Sequence, residues 1–308
     1  MKYLKLIRYK NLLMLALMQL LFRYGFLKYQ NIPLALNDWQ YFLLVFATIM
    51  IAAGGYIINN IMDQATDEDN KPNQVVVGKS ISEANAYNLY FACTVLGVGA
   101  GFYLSNVIAK PGFASIFIII SATLYLYATS LKQMLLIGNL VVAFLLAFSV
   151  LIIGVFDLLP VINPGNKIVM AELFSILLDY AIFAFVINFI REIVKDLEDV
   201  NGDYNQGMNT LPIALGIKRT SKLVLALSLI PLVMVIFYIK NYFFAFNLYI
   251  ATLYALISIV APLIYFAVKM ADAKKSKDFH HLSSVLKLII LSGLFSIAVV
   301  TYNILHHA

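Results

Sequence analysis

Charge is scarce in this chain. Only 12% of its 308 residues are Asp, Glu, Lys or Arg, against about 25% in an ordinary soluble domain. Hydrophobic residues make up 62%, more apolar surface than a water-soluble fold could hide. Cysteine is nearly absent. The lone Cys93 excludes a disulfide framework and a cysteine-rich zinc site, and within its apolar run it reads as a small core residue. The four histidines form two pairs, His280-His281 and His306-His307, without partners at ligand spacing, so a histidine metal centre is not expected. A signal peptide is not expected either. The basic segment Met1 to Lys10 leads into an apolar stretch too long for one, and no small-residue cleavage site follows. The net charge of +6 fits basic loops facing an anionic leaflet rather than a nucleic-acid surface.

What the chain has instead is apolar runs near the length that crosses roughly 30 Å of hydrocarbon. Nine spans are expected, at 11–28, 40–62, 84–107, 113–130, 134–156, 171–194, 221–239, 243–269 and 285–305. The fold class is therefore all-α: a polytopic membrane protein of about nine helices in a single domain, 1–308. With the N-terminus in the cytoplasm, all Lys and Arg residues but Arg23, Lys28, Lys110, Lys167 and Lys240 fall on the cytoplasmic side. That bias predicts an N-in, C-out protein, and the short loops suggest a prokaryotic inner membrane.

Carboxylates are the most informative residues. Asp63, Asp67, Glu68 and Asp69 follow the second span, and Glu192, Asp196, Glu198, Asp199 and Asp203 follow the sixth. More than half of the 16 acidic residues thus fall in two short stretches on one side of the membrane. Like charges this close repel and call for a cation. Asn59, Asp63 and Asp67 are spaced i, i+4, i+8, and Glu192, Asp196, Asp199 and Asp203 i, i+4, i+7, i+11, so each set lines one helix face. All-oxygen sets of this kind suit Mg²⁺, which shares its ligands with substrate phosphates. Arg191 and Lys195 beside the second set add cations suited to phosphate oxygens. Asp63 and Asp67 recur as Asp199 and Asp203 at the same spacing, each pair closing a span, which hints at two related halves.

The stretch Asn59-x-x-x-Asp63-x-x-x-Asp67 resembles the first signature of the UbiA superfamily of intramembrane prenyltransferases, and Asp196-x-x-Asp199-x-x-x-Asp203 resembles the second. Between them, Tyr127-Ala-Thr-Ser-Leu-Lys132 followed by Gly138-Asn139 is similar to the loop after the family's fourth helix. The resemblance runs from Arg8 and Asn11 to about Gly216. It implies helices around a central cavity with a cytoplasmic-side site, where Mg²⁺ on Asn59, Asp63, Asp67, Asp196, Asp199 and Asp203 grips a prenyl diphosphate. Lys71, Lys132, Arg191 and Lys195 are then candidate phosphate cations. Tyr127 would shield a carbocation or position the acceptor, or be an interfacial aromatic. Arg8 and Asn11 would contact a substrate head, or serve as a positive-inside anchor.

Two positions depart from the pattern: Asn60 stands where the family has Asp, and Asn209 where Lys is common. Arg191-Glu-Ile-Val-Lys-Asp196 and Asn70-Lys-Pro-Asn are most similar to the digeranylgeranylglyceryl phosphate synthase branch. That implies geranylgeranyl diphosphate as donor and a lipophilic acceptor, geranylgeranylglyceryl phosphate, in ether-lipid synthesis. An aromatic acceptor of a quinone or pigment pathway is the alternative. Outside the class stand an ion-coupled secondary transporter, whose ion sites would lie nearer the bilayer midplane, and a lipid-binding scaffold. The expected partners are the two substrates and membrane lipids, with no nucleic acid and no obligate protein partner.

Overall fold

The structure is a computed structural model that describes residues 2–70 and 75–306. Among the described residues nine helices are long and apolar enough to cross a membrane. They are α1 (Tyr9–Gln30), α2 (Asp38–Met62), α3 (Glu83–Val107), α4 (Pro111–Thr129), α5 (Ile137–Val161), α6 (Lys167–Asn205), α7 (Ile217–Phe244), α8 (Tyr249–Asp272) and α9 (Ser276–Leu305). The protein is an all-α integral membrane protein, and an isolated bridge between Val77 and Ile81 is its one trace of β pairing among the described residues. The outward faces carry Trp39, Phe91, Phe102, Ile168 and Phe237, as lipid-facing helices should.

Lipid offers no hydrophobic drive between helices, so close packing depends on small residues. Gly97 and Gly101 on α3 form such a face. A Cβ on Gly97 would meet the Ala47 carbonyl of α2 at 3.0 Å, and one on Gly101 would fall 2.2 Å from the Phe117 ring of α4. The buried side chains sort into patches. Phe22, Tyr41, Phe156 and Leu177 join α1, α2, α5 and α6. Ile190, Leu197, Phe266 and Phe279 join α6, α8 and α9. Leu6, Ile57, Ile58 and Ala86 seat a short N-terminal helix, Lys2–Leu6, on α2 and α3.

Two features are not written in the hydropathy. α6 does not stop near residue 194 but runs unbroken through the acidic stretch to Asn205. α7 and α8 contain π-helical turns at Ile239–Phe244 and Leu256–Val260. The second precedes Pro262, which has no N–H to continue the regular ladder.

Candidate functional site

The C-terminal ends of α2, α4 and α6 and the N-terminal end of α9 meet at one end of the bundle. α2 finishes at Met62 with Asp63 as its cap, whose N–H bonds the Asn59 carbonyl at 2.9 Å. The Asp67 N–H bonds the Asp63 carbonyl at 2.8 Å, so the chain resumes at once as the short helix Gln64–Asn70. The Asn59 amide donates to one Asp63 oxygen, and the Lys132 ammonium pairs with the other. Lys132 comes from the 3-10 turn Leu131–Gln133 between α4 and α5. Burial pushes its ammonium down to about 8, with the Asp203 charge opposing the shift and the Arg8 charge adding to it. Asn60 faces elsewhere: its amide donates to the Leu6 carbonyl at 3.1 Å and the Tyr56 carbonyl at 2.7 Å. The residue that departs from the family pattern thus ties the N-terminal helix to α2, a job an aspartate, lacking the donor, could not do.

The second group stands on the continuous helix α6. Buried Glu192 is taken up by two cations, Arg191 at 3.3 Å and Lys195 at 2.7 Å. Asp196, one turn on, accepts from the Asn139 amide of α5 at 2.8 Å. Glu198 turns toward α9, where it meets His280 at 3.0 Å and its backbone carbonyl accepts from the Ser276 hydroxyl, also at 3.0 Å. Asp199 is half-buried on the next turn and Asp203 is buried. Asp203 lies within electrostatic reach of Lys132, Tyr127 and Asp196. The two acidic stretches are stitched together as well: the Gln206 amide donates to Asp69 at 3.3 Å, and the Asn209 N–H to the Gln133 carbonyl at 3.0 Å. Asn209 therefore serves through its backbone, holding the loop after α6 to the turn that bears Lys132.

The N-terminal residues join the same end. Arg8 sits in the left-handed region (φ 49°, ψ 51°) between the N-terminal helix and α1, which aims its guanidinium over the Tyr56 ring at 5.4 Å. A non-glycine residue there is uncommon and marks a turn held by its surroundings. Asn11 accepts from Lys287 of α9 at 2.8 Å. Half-buried Tyr127 lies near Glu192, Asp196, Arg8 and Asp203. Of the residues singled out from sequence, Arg8, Asn11, Asn59, Asp63, Asp67, Tyr127, Lys132, Arg191, Lys195, Asp196, Asp199 and Asp203 are gathered at this end. Lys71 lies outside the described residues. Tyr56 and Lys287 were not anticipated; the lone lysine in the apolar run of α9 was the available signal. Asp179 stands apart, lining a separate cavity of about 230 Å³ with Tyr180, Tyr238 and Ser296.

The donor set fits a hard cation in a particular way. Among the described residues no three His, Cys, Asp or Glu side chains converge. The oxygens that the two groups would offer, carboxylates and the Asn59 amide, are of the kind that suits Mg²⁺ shared with phosphate. The Asn59 side-chain carbonyl oxygen is buried and has no hydrogen-bond partner, an acceptor that a hard cation would satisfy.

The profile of the UbiA prenyltransferase family matches residues 16–300. A digeranylgeranylglyceryl phosphate synthase of Saccharolobus solfataricus is 30% identical over 300 residues, 93% of this chain and 94% of that protein. One of Methanobrevibacter smithii is 29% identical over 268 residues, 87% and 89% of the two chains. Among solved structures, a UbiA homolog from Archaeoglobus fulgidus bound to DMAPP and Mg²⁺ superposes with a TM-score of 0.59, over 96% of this chain and 99% of that one; at 16% identity the likeness is one of fold.

Proposed function

The chain belongs to the UbiA prenyltransferase family, and from that premise we propose that it transfers the geranylgeranyl group of geranylgeranyl diphosphate to geranylgeranylglyceryl phosphate. The observation that carries the site is the meeting of Asp63, from the end of α2, and Lys132, from the turn between α4 and α5, beside Asp196 and Asp203 of α6. The choice of acceptor is supported by the near full-length similarity to synthases of that name.

Asn59, Asp63 and Asp67 on one side, and Asp196, Asp199 and Asp203 on the other, would hold Mg²⁺. Bound there, Mg²⁺ supplies charge neutralisation to the diphosphate. Lys132 and Arg8 add fixed positive charge where the leaving group gains negative charge, a preorganised stabilisation that costs no reorganisation during the reaction. The bond between C1 and the diphosphate oxygen breaks, and pyrophosphate leaves with the electron pair. The acceptor hydroxyl oxygen forms the new bond to C1, and its proton passes to the departing pyrophosphate. Tyr127, half-buried beside the carboxylates, limits access of water to the electron-poor carbon. The excess of basic residues at this end supports a cytoplasmic site and an N-in arrangement in a prokaryotic inner membrane. We read 1–308 as a single domain.

Purified protein in lipid, given geranylgeranyl diphosphate, Mg²⁺ and a panel of acceptors, tests the proposal through pyrophosphate release and product mass. The expected product is a prenylated glyceryl phosphate, lost on chelation with EDTA and regained with Mg²⁺. A prenylated aromatic ring would overturn the acceptor while keeping the chemistry. Cation-coupled uptake by vesicles with no product from any acceptor would point to the transporter.

The packing around Lys132 gives a second expectation. A Cβ on Gly138 would fall 2.8 Å from the Lys132 Cα and 3.2 Å from the Leu131 carbonyl oxygen. Gly138→Ala must therefore push the turn aside. A displacement of a few tenths of an ångström at a positioning group should raise KM for the diphosphate roughly tenfold. Steady-state kinetics at saturating acceptor would show it, and an unchanged KM would mean that the Lys132 turn does not position the donor.

A further inference from the structure

Beside the acidic groups lies a cluster whose charges do not balance. Lys287 of α9 donates to a neutral partner, Asn11. Arg191 and Lys10 both bear on its ammonium electrostatically. Arg191 and Lys195 share one carboxylate, Glu192, which Arg8 also faces. The Arg191 Nε is buried and has no acceptor. Cations from the start of α1 and from α6 thus gather on Glu192, and Lys287 of α9 stands beside Arg191 with only a neutral amide as its hydrogen-bond partner. Counting 1.5 Å per residue from the Ser276–Glu198 hydrogen bond, Arg191 and Lys287 lie about 10 and 16 Å further into the bundle. A cation that deep is costly unless it serves an anion.

We propose that Lys287, Arg191 and Asn11 form a second anion subsite, separate from the diphosphate site, that binds the phosphate monoester of the acceptor. This rests on the acceptor reading above and extends it by saying how a phosphorylated alcohol is told from a neutral one. Arg8 joins the two subsites, since it bears on both Lys132 and Glu192. That proximity suits the substrate: in a glyceryl phosphate two carbons separate the reacting hydroxyl from the phosphate-bearing oxygen. Arg191 supplies planar donors to phosphate oxygens and Lys287 a point charge.

The experiment compares wild type, Lys287→Gln and Lys287→Arg in lipid with Mg²⁺. Rates are measured against geranylgeranylglyceryl phosphate, against the same alcohol without phosphate, and against geranylgeranyl diphosphate. Losing a charge-assisted bond should raise KM for the phosphorylated acceptor roughly ten- to hundredfold. KM for the diphosphate and the rate with the unphosphorylated alcohol should stay at wild-type values, and Lys287→Arg should recover most of the loss. An equal loss with both acceptors, or a loss confined to the diphosphate, would overturn the subsite. Wild type that uses the phosphorylated acceptor no better than the neutral alcohol would overturn it too. Wild type that uses neither, yet prenylates an aromatic acceptor, would sink the acceptor reading itself and the subsite with it.

Discussion

Asp63→Ala and Asp196→Ala should each lower turnover by about a thousandfold while the protein still inserts and folds. The magnitude is that of removing one preorganised group that stabilises developing charge, about 10²- to 10³-fold, here at the upper end because each aspartate also fixes its neighbours. Asp63 holds both the Asn59 amide and the Lys132 ammonium. Without it the lysine loses its anchor and the proposed cation site loses its central oxygen. Asp196 orients through the Asn139 amide, so its loss also frees the start of α5. Asp69→Ala is the control: Asp69 is exposed at the rim and accepts from Gln206 at 3.3 Å, so its removal should cost less than fivefold, in keeping with a solvated polar contact. Product formation at saturating substrates would separate the cases. Activity that survives both alanine substitutions would rule out the proposed roles of the two aspartates.

Much of this arrangement was legible before the structure. The spans were, because a bilayer demands runs of about 20 apolar residues and tolerates few charges inside them. The two acidic stretches were, because charge is so rare elsewhere that clustering stands out. The pairing was not. Lys132 and Asp63 are 69 residues apart, and nothing local to either says which cation meets which carboxylate. The course of α6 through Asp196 and Asp203 was hidden for another reason: hydropathy marks where the membrane ends, not where the helix does. Asn60 shows how a pattern can mislead. Against the family signature it reads as a lost charge, yet its amide donors are spent on the Leu6 and Tyr56 carbonyls. Lys287 was visible as an isolated charge in an apolar run, but its meaning depended on α1 and α6 lying next to α9.

The end of the bundle away from the site carries the largest expected effect on stability. Arg23 on α1 and Asp157 on α5 are both fully buried and paired, 134 residues apart in the chain. The guanidinium also donates to the Leu36 carbonyl at 2.6 Å and lies 4.4 Å from the centre of the Tyr41 ring. Asp157 in turn accepts from the Leu36 N–H at 3.1 Å. One ion pair thereby fastens α1, the link to α2, α2 itself and α5. Arg23→Ala would leave a buried carboxylate without its cation, a change that costs about 3–5 kcal/mol. The unfolding midpoint in detergent should fall by on the order of 10 °C. Replacing both members, as Arg23→Leu with Asp157→Leu, removes the stranded charge and should recover part of that loss. Recovery stays incomplete because the Leu36 N–H and carbonyl then have no partner. The site is at the other end, so the fraction that remains folded should keep its KM for both substrates. A single variant as stable as wild type would show that this pair does not hold α1 in place; a double variant less stable than the single would show that the Leu36 contacts, rather than the pairing of charges, carry the stabilisation.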